Sequence, residues 1–294
     1  MIFAIPFPDI GPEVFSISVG GMTFALRWYA LAYIAGIVIG WRIIVAAVRR
    51  PALWPGDRAP MTPAQVEDFL TWAVVGIIAG GRLGYTLFYQ PGHYLTHPIE
   101  ILYIWQGGMS FHGGFLGVVA AGLWFCRRNG IPVLQMSDAL AIAAPAGIML
   151  GRLANFVNAE LWGRPTDLPW GVIFPGAAAQ DCPGVIGPCA RHPSQLYEAG
   201  LEGLLLGLLL LWLAFARGWL RRPGALTGLF LAGYAAARIF VELFRVADAQ
   251  YITPDNPLGH VVRLGEAGLS MGQLLSLPML AAGLALLLLA RRRA

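Results

Sequence analysis

The stretch APAGIMLGRLANFVNAELWGR, residues 144–164, carries the pattern that decides the fold. It begins like an apolar helix that crosses a bilayer and then places Arg152, Asn155, Asn158 and Glu160 within one short segment. At about 100° per residue, these side chains would cover more than half of a helix surface, which lipid cannot surround. We therefore predict that the end of this helix lines a polar cavity at the outer leaflet. A polar cap at the membrane interface is the alternative.

The whole chain has the composition of a membrane protein. Of its 294 residues, 57% are hydrophobic and only 12% are charged, against roughly 25% in a soluble domain. All 20 basic residues are arginine, which excludes Schiff-base lysine chemistry and a P-loop lysine. Arginine suits bidentate binding of phosphate or carboxylate. Most arginines lie beside apolar segments, as topology signals do, so we expect no nucleic-acid partner.

Seven segments are apolar enough to predict membrane-spanning helices, since a bilayer core takes about 20 helical residues. We predict an all-α polytopic membrane protein in which residues 1–294 form one catalytic domain, with a small non-cytoplasmic loop region at 158–195. Gly76, Gly80 and Gly84 recur every four residues in the second segment and predict a close helix–helix contact. The predicted spans are residues 24–47, 66–89, 111–126, 136–157, 196–216, 226–244 and 271–290.

The arginines also predict the orientation of the chain. Loops rich in arginine lie on the cytoplasmic side of a membrane. We therefore predict an N-terminus outside and a C-terminus in the cytoplasm, and the first 20 residues lack the positive charge of a cleavable signal peptide. The loops after the first, third, fifth and seventh spans hold Arg49, Arg50, Arg58, Arg127, Arg128, Arg217, Arg221, Arg222, Arg291, Arg292 and Arg293.

Cys182 and Cys189 lie in the loop sequence CPGVIGPC, within the predicted outer region. They form a disulfide if this loop faces an oxidising compartment, and two unpaired thiols are the alternative. Only His192 lies near them, so the spacing predicts no zinc site, and we expect no metal elsewhere.

Charged residues within the sixth span are candidate functional residues, because an unpaired charge in the bilayer is strongly unfavourable. Arg238, Glu242 and Arg245 have the spacing i, i+4, i+7 and share one helix face. Glu242 is expected to neutralise one arginine and to leave one positive charge. We predict an anion site near the outer leaflet, and a structural ion network is the alternative.

The fifth span begins with a polar stripe of Gln195, Glu198 and Glu202. We expect both glutamates to form ion pairs with arginines of the fourth and sixth spans. His192 stands at the start of this span and is as consistent with a structural role as with a functional one.

His112 stands at the mouth of the third span, and the glycines beside it leave room for a ligand. Histidine exchanges a proton near neutral pH, so His112 is a candidate acid or base, although simple hydrogen bonding is the alternative. Together with the arginines and amides, it suits a lipid headgroup that carries phosphate. The chain contains no HExxH or acidic magnesium-binding pattern.

Several motifs, in order along nearly the whole chain, resemble the prolipoprotein diacylglyceryl transferase family. Ala154 departs from the family, which usually has glycine at that position. The motifs are RWYALAY (27–33), GGRLGY (80–85), FHGGFLG (111–117), GRLANFVNAELWG (151–163), RHPSQLYE (191–198), ARIFVELFR (237–245) and LSMGQLLSLPM (269–279).

The resemblance implies a bacterial inner-membrane enzyme with seven spans and no cofactor. It would transfer the diacylglyceryl group of phosphatidylglycerol to the lipobox cysteine of prolipoprotein signal peptides, forming a thioether and releasing glycerol 1-phosphate. Its partners would be these two substrates and membrane lipids. The residues implied are Tyr29, His112, Arg152, Asn155, Glu160 and Arg238 as catalytic, with Arg245 and Gly163 in phosphatidylglycerol binding and Glu242, Glu198 and His192 as support.

The roles of these residues are a hypothesis. We expect Arg152 and Arg238 to hold the phosphate and His112 to accept the thiol proton. Asn155 and Glu160 would orient the arginines, and Tyr29 would contact the headgroup or glycerol. A lipid or anion transporter or flippase is the main alternative from another class, and a structural scaffold is a third. A transporter would predict polar residues through the middle of the bilayer and often an internal repeat, neither of which we see.

Overall fold

The computed structural model describes residues 4–20, 22–182, 185–265 and 267–292. A helix occurs at each of the seven predicted segments. Five of these described helices, α1, α2, α4, α5 and α7, are long and apolar enough to cross a membrane, which confirms a mainly helical membrane protein. The helices are α1 (Trp28–Val48), α2 (Pro63–Phe88), α3 (Phe111–Asn129), α4 (Val133–Val157), α5 (Ser194–Ala216, with a π-helical segment at Ala199–Leu205), α6 (Ala225–Val241) and α7 (Met271–Arg292).

Short strands correct the prediction of a purely α-helical chain. They form three two-stranded sheets within the described residues: β1 pairs with β4 in parallel, while β2–β3 and β5–β6 are antiparallel. The segment EVFSISV alternates in polarity, which favours a strand. The strands are β1 (Ile5–Pro6), β2 (Glu13–Val19), β3 (Met22–Arg27), β4 (Val172–Ile173), β5 (Val262–Leu264) and β6 (Ala267–Leu269).

The connections contain short helical turns. Two are α-helical, at Pro91–Thr96 and Ala177–Gln180. The 3-10 turns are Pro51–Leu53, Pro55–Asp57, Pro98–Leu102, Ile104–Gln106, Trp219–Arg221 and Ala249–Tyr251.

Two helix boundaries differ from the predictions for a clear reason. α1 begins at Trp28 and not at residue 24, because residues 22–27 pair with β2. α6 ends at Val241 and not at residue 244, because the following turn tightens: the amides of Leu243 and Phe244 donate to the carbonyls three residues back, of Phe240 at 3.2 Å and of Val241 at 2.9 Å. Arg293, counted among the cytoplasmic arginines, lies outside the described residues.

The chain divides into two compact units, Met1–Ile43 with Asp138–Ala294 and Ile44–Ser137. In the first unit, α1 approaches α4 closely, since a Cβ on Gly36 would lie 3.0 Å from the Cα of Gly147. In the same unit α6 packs on α7, where a Cβ on Gly228 would lie 2.8 Å from the carbonyl oxygen of Gly283.

The second unit is built on the contact of α2 with α3. A Cβ on Gly76 would lie 2.6 Å from the carbonyl oxygen of Gly117, and a Cβ on Gly84 would lie 2.7 Å from the Cα of Gly113. The small-residue face predicted on α2 is therefore confirmed as a packing surface.

A buried arginine in the second unit organises the segment that leads into α3. The Arg82 guanidinium donates to the carbonyls of Glu100 (2.6 Å), Ile101 (2.8 Å) and Gly107 (2.5 Å). Ser110 then caps α3 by accepting from the Gly113 amide at 3.2 Å. These bonds fix the backbone just before His112.

Candidate active site

Charged residues of α4, α5, α6 and the turn that follows α6 meet around one carboxylate, that of Glu198. Glu198 is fully buried. Its Oε2 lies 3.1 Å from the Nε of Arg152, and its Oε1 lies 2.5 Å from Arg238 Nη1 and 2.7 Å from Arg245 Nη1. A buried carboxylate needs cationic or hydrogen-bonding partners, and Glu198 gathers three arginines: Arg152 of α4, Arg238 of α6 and Arg245 just after the end of α6.

Glu242 is the second carboxylate of this cluster. Its Oε1 accepts from Arg238 Nη2 at 2.6 Å and lies 3.3 Å from Arg245 Nε. The expectation that one arginine would be left without a counter-charge is wrong, because Glu198 of α5 bonds both arginines. Counting the charges on one helix face leaves out the carboxylate that the neighbouring helix supplies.

Glu202 lies one turn beyond Glu198, in the π-helical segment Ala199–Leu205. It is fully buried, and its Oε2 lies 4.0 Å from Arg152 Nη2. Neither oxygen accepts a hydrogen bond from any residue that the structure describes. Gln195, the third member of the predicted stripe, instead donates to the carbonyl of Glu160 at 2.5 Å.

The arginines are more accessible than the carboxylates behind them. The side chains of Arg152, Arg238 and Arg245 are 22%, 18% and 15% exposed, whereas that of Glu198 is 0% exposed. Each arginine directs two of its guanidinium nitrogens at these carboxylates. Because a guanidinium has five N–H donors, donors remain for an additional anion such as a phosphate.

Asn155 joins Tyr29 to Glu160. Its buried amide donates both to the Tyr29 hydroxyl and to Glu160 Oε1, the latter at 2.8 Å. We expected Asn155 and Glu160 to orient the arginines. Among the described residues, no hydrogen bond or ion pair joins either of them to an arginine, and together they hold the hydroxyl of Tyr29.

A strained turn brings Glu160 back toward α4. The helix ends at Val157, and both Ala159 (φ 52°) and Leu161 (φ 56°) adopt the left-handed conformation that non-glycine residues rarely take. The Glu160 amide donates to the Asn155 carbonyl at 3.1 Å. The predicted helical arc through residue 160 is thus corrected. Local strain of this kind is often found at functional sites.

Gly163 ties loop 158–195 to the end of α6. Its amide donates to the His192 carbonyl at 2.8 Å, and it forms a β-bridge with Arg245. A Cβ on Gly163 would lie 2.8 Å from the Cβ of His192 and would also collide with the carbonyl of Phe244. Only glycine fits at this close backbone approach.

Arg164 is a site residue that sequence reasoning missed. Its Nε donates to the carbonyl of Arg245 at 2.7 Å, which fixes the backbone that carries a cluster arginine. Burial lowers the pKa of Arg164, and the Glu242 carboxylate opposes this effect. The sequence feature that could have identified Arg164 is its position directly after the GRLANFVNAELWG motif.

His192 lies in loop 158–195 and has structural partners on either side of it. Its Nδ1 lies 3.1 Å from the Tyr197 hydroxyl, and its ring packs edge-on against Phe244. Burial, and then the positive charge of Arg164, hold the pKa of His192 below its usual range. Both effects favour the neutral form of His192.

Arg191 connects this loop to Gly163. Its guanidinium lies 4.0 Å from the centre of the Trp162 ring and donates to the carbonyls of Ala179 (2.5 Å), Asp181 (2.8 Å) and Gly163 (3.3 Å). Burial lowers the pKa of Arg191. Sequence reasoning also missed this residue, although it opens the RHPSQLYE motif.

Cys182 and Cys189 form a disulfide, the first of the two alternatives left open by the sequence. The Gln180 side chain supports the bridge, because it accepts from the Cys189 amide at 2.9 Å and donates to the carbonyl of Phe174 at 2.8 Å. Disulfides persist in oxidising compartments, which agrees with a loop outside the cytoplasm.

His112 belongs to the second unit, where it is the second residue of α3. Its side chain is exposed, and its ring packs edge-on against Phe111 at 5.6 Å between centroids. All the other predicted site residues lie in the first unit. The role of His112 stays a prediction.

Comparison with known proteins identifies the family. The sequence model of the prolipoprotein diacylglyceryl transferase family matches residues 13–289. The chain belongs to this family. It is 65% identical over 285 residues to the phosphatidylglycerol–prolipoprotein diacylglyceryl transferase of Ruegeria pomeroyi, with 97% of each chain covered. The protein of that name from Roseobacter denitrificans is 61% identical over 290 residues, with 99% of each chain covered.

A more distant relative gives the same result. The phosphatidylglycerol–prolipoprotein diacylglyceryl transferase of Rhizobium meliloti is 47% identical over 280 residues, which cover 95% of this chain and 92% of that protein. The predicted family is confirmed, and with it the predicted class of enzyme, a membrane-bound transferase of lipoprotein biosynthesis.

Proposed function

We propose that the chain transfers the diacylglyceryl group of phosphatidylglycerol to the thiol of the lipobox cysteine in a prolipoprotein signal peptide. One observation carries this proposal: Arg152, Arg238 and Arg245 gather on the buried Glu198, with their guanidinium groups still partly exposed. Planar guanidinium groups suit a lipid phosphate. The relatives at 61% and 65% identity are named for the same two substrates.

In the proposed reaction, the cysteine sulfur attacks the glyceryl carbon that is bonded to the phosphate oxygen. The carbon–sulfur bond forms as the carbon–oxygen bond breaks, and the oxygen keeps the electron pair, so that glycerol 1-phosphate leaves. His112 accepts the thiol proton, directly or through water, because the thiolate is the competent nucleophile. Arg152 and Arg238 stabilise the negative charge that grows on the leaving phosphate.

The neighbouring residues hold the lipid in place. Tyr29 contacts the headgroup or glycerol, and the amide of Asn155 and the carboxylate of Glu160 fix its hydroxyl group. Gly163 keeps the outer loop against the backbone of Arg245. The reaction needs neither a metal ion nor an organic cofactor.

We place the enzyme in the bacterial inner membrane with all seven helices across it and both units in one catalytic domain. α3 has 19 residues and α6 has 17, close to the roughly 20 that a bilayer core takes. The arginine-rich loops put the N-terminus outside and the C-terminus in the cytoplasm. Loop 158–195 then lies outside, where its disulfide is stable.

The test is a transfer assay with purified protein, radiolabelled phosphatidylglycerol and a lipobox peptide. We expect labelled thioether peptide and released glycerol phosphate, and nearly no transfer with Arg152→Ala or Arg238→Ala. The control is Arg263→Ala, which removes an exposed arginine paired with Asp255. Full activity in either cluster variant would overturn the phosphate assignment. Movement of lipid between leaflets without release of glycerol phosphate would favour a transporter or flippase.

A further inference from the structure

The LSMGQ motif at the start of α7 is not used by the mechanism above, yet it touches the arginine cluster. Ser270 directly precedes α7, which begins at Met271. Its Oγ donates to Glu242 Oε2 at 2.6 Å, and both side chains are buried. Glu242 in turn bonds Arg238 and Arg245 through its other oxygen.

The direction of the Ser270 hydroxyl is set by a capping box. Its oxygen accepts from the Gln273 amide at 3.2 Å, and Gln273 Oε1 accepts from the Ser270 amide at 3.1 Å. A serine hydroxyl has a single proton, and the cap occupies an oxygen lone pair. The proton therefore points at Glu242, and the helix cap makes Ser270 a fixed donor to that carboxylate.

Gly272 provides the space in which the Glu242 carboxylate lies. A Cβ on Gly272 would lie 2.5 Å from both Cδ and Oε1 of Glu242. The carboxylate thus rests against the first turn of α7, where the helix dipole favours negative charge.

Glu242 borders a cavity of about 160 Å³, which is lined in part by Arg238, Arg245 and Ser270. A carboxylate without the Ser270 bond therefore has room to change its position relative to the two arginines.

We propose that Ser270 and Gly272 are positioning residues for phosphatidylglycerol: they fix Glu242, which sets the geometry of Arg238 and Arg245. This inference rests on the proposed function, in which those arginines bind the lipid phosphate. The two residues act through Glu242 and do not themselves touch the substrate.

The test measures initial rates of transfer by the intact chain at varied phosphatidylglycerol and at varied lipobox peptide. With Ser270→Ala we expect the KM for phosphatidylglycerol to rise about tenfold, the effect of losing one hydrogen bond to a charged group. The KM for the peptide stays unchanged. Ser270→Thr, which keeps the hydroxyl, restores the wild-type KM.

Two control variants separate positioning from stability. Thr62→Ala breaks the matching capping box of α2, in which Thr62 accepts from the Gln65 amide at 3.2 Å, so it measures the loss of a helix cap alone. Gly147→Ala introduces a methyl group into α4 where nothing lies within 4 Å. Both controls are expected to keep the wild-type KM for phosphatidylglycerol.

Gly272→Ala is the independent second variant, because it leaves the Ser270 cap intact and adds only the clash with Glu242. We expect it to raise the same KM at least as much as Ser270→Ala does. If Ser270→Ala does not fold, Gly272→Ala and Ser270→Thr decide the question. The inference would be overturned if Gly272→Ala kept the wild-type KM for phosphatidylglycerol. It would also be overturned if Ser270→Ala changed only kcat, and by the same factor as Thr62→Ala does. Absence of transfer by the wild-type chain would instead overturn the proposed function.

Discussion

Asp138 and Glu198 are both fully buried carboxylates of the first unit, but their partners differ in kind. Asp138 accepts from the amides of Gly224 and Thr227 and from the Thr227 hydroxyl, each at 2.7 Å. These donors are neutral and hold the start of α6. The partners of Glu198 are the arginines Arg152, Arg238 and Arg245.

The difference separates a structural carboxylate from a functional one. The partners of Asp138 are largely groups of the chain's own backbone, so the arrangement is complete without a ligand. The partners of Glu198 are permanent cations with further donors and partial exposure, so they can bind a second anion. The position of a carboxylate in an apolar helix does not distinguish the two cases, whereas the chemistry of its donors does.

The largest expected effect tests this comparison directly. Glu198→Gln keeps the shape of the side chain but removes the negative charge that pairs with the arginines. Breaking such a buried ion network is unfavourable by about 3 kcal/mol. We expect transfer to fall about a hundredfold. Asp138→Asn should lower the thermal unfolding temperature and leave kcat per folded molecule unchanged. Equal losses of kcat in the two variants would break the distinction.

Gly163→Ala extends the comparison to loop 158–195. The added methyl group would collide with His192 and with the Phe244 carbonyl, so we expect the loop to shift and transfer to fall at least tenfold. Gly11→Ala is the matched loop control, since its Cβ would meet only an ordinary contact at 4.0 Å. Activity assays and limited proteolysis of the folded variants measure both effects. A normally active Gly163→Ala enzyme would show that this contact is dispensable.

Tyr29→Phe removes the hydroxyl group that Asn155 and Glu160 hold in place. A hydrogen-bonding group of this kind contributes roughly 1 kcal/mol, so its loss should lower kcat/KM for phosphatidylglycerol about three- to tenfold. Tyr33→Phe is the control, because Tyr33 stacks on Tyr29 and is exposed, and phenylalanine keeps the stacking. If the two variants lose the same activity, the hydroxyl of Tyr29 has no special role.

The smallest expected effect concerns the dependence of folding stability on pH. The pKa of His192 lies below its usual range in the folded chain, so the unfolded state takes up a proton first as the pH falls below about 6.5. The folded chain therefore loses stability on acidification through this range. His192→Asn keeps a polar partner for Tyr197 and should reduce the fall in unfolding temperature between about pH 7 and about pH 5. An identical pH dependence in wild type and variant would exclude this contribution.

The positions of the helices could be predicted because lipid imposes long apolar segments on the sequence. A helix occurs at each of the seven predicted segments, and the glycine face of α2 packs as its spacing indicates. Residues 24–27 were wrongly placed in a helix, because strand pairing with β2 depends on residues outside any local apolar pattern.

The cluster could be predicted only in part. Spacing along the predicted sixth span placed Arg238 and Arg245 on one face, but the position of Glu198 between them depends on how α5 packs. The left-handed backbone at Ala159 and Leu161 has no signal in residue type, so the return of Glu160 to Asn155 was not predictable. The contacts of Arg164 and Arg191 with backbone carbonyls were missed because such bonds require no partner residue type.

The central claim is that Arg152 and Arg238 bind the phosphate of phosphatidylglycerol. Solid-state NMR tests this claim directly by measuring 15N–31P dipolar dephasing between 15N-labelled arginine side chains and the lipid phosphate. The sample holds one lipid per protein in a detergent without phosphate. The chain has no lysine, so an Arg152→Lys, Arg238→Lys variant keeps the charge and removes the labelled guanidinium groups. We predict strong dephasing in the wild-type chain and a sharp loss in this variant. Equal dephasing in both would contradict the account.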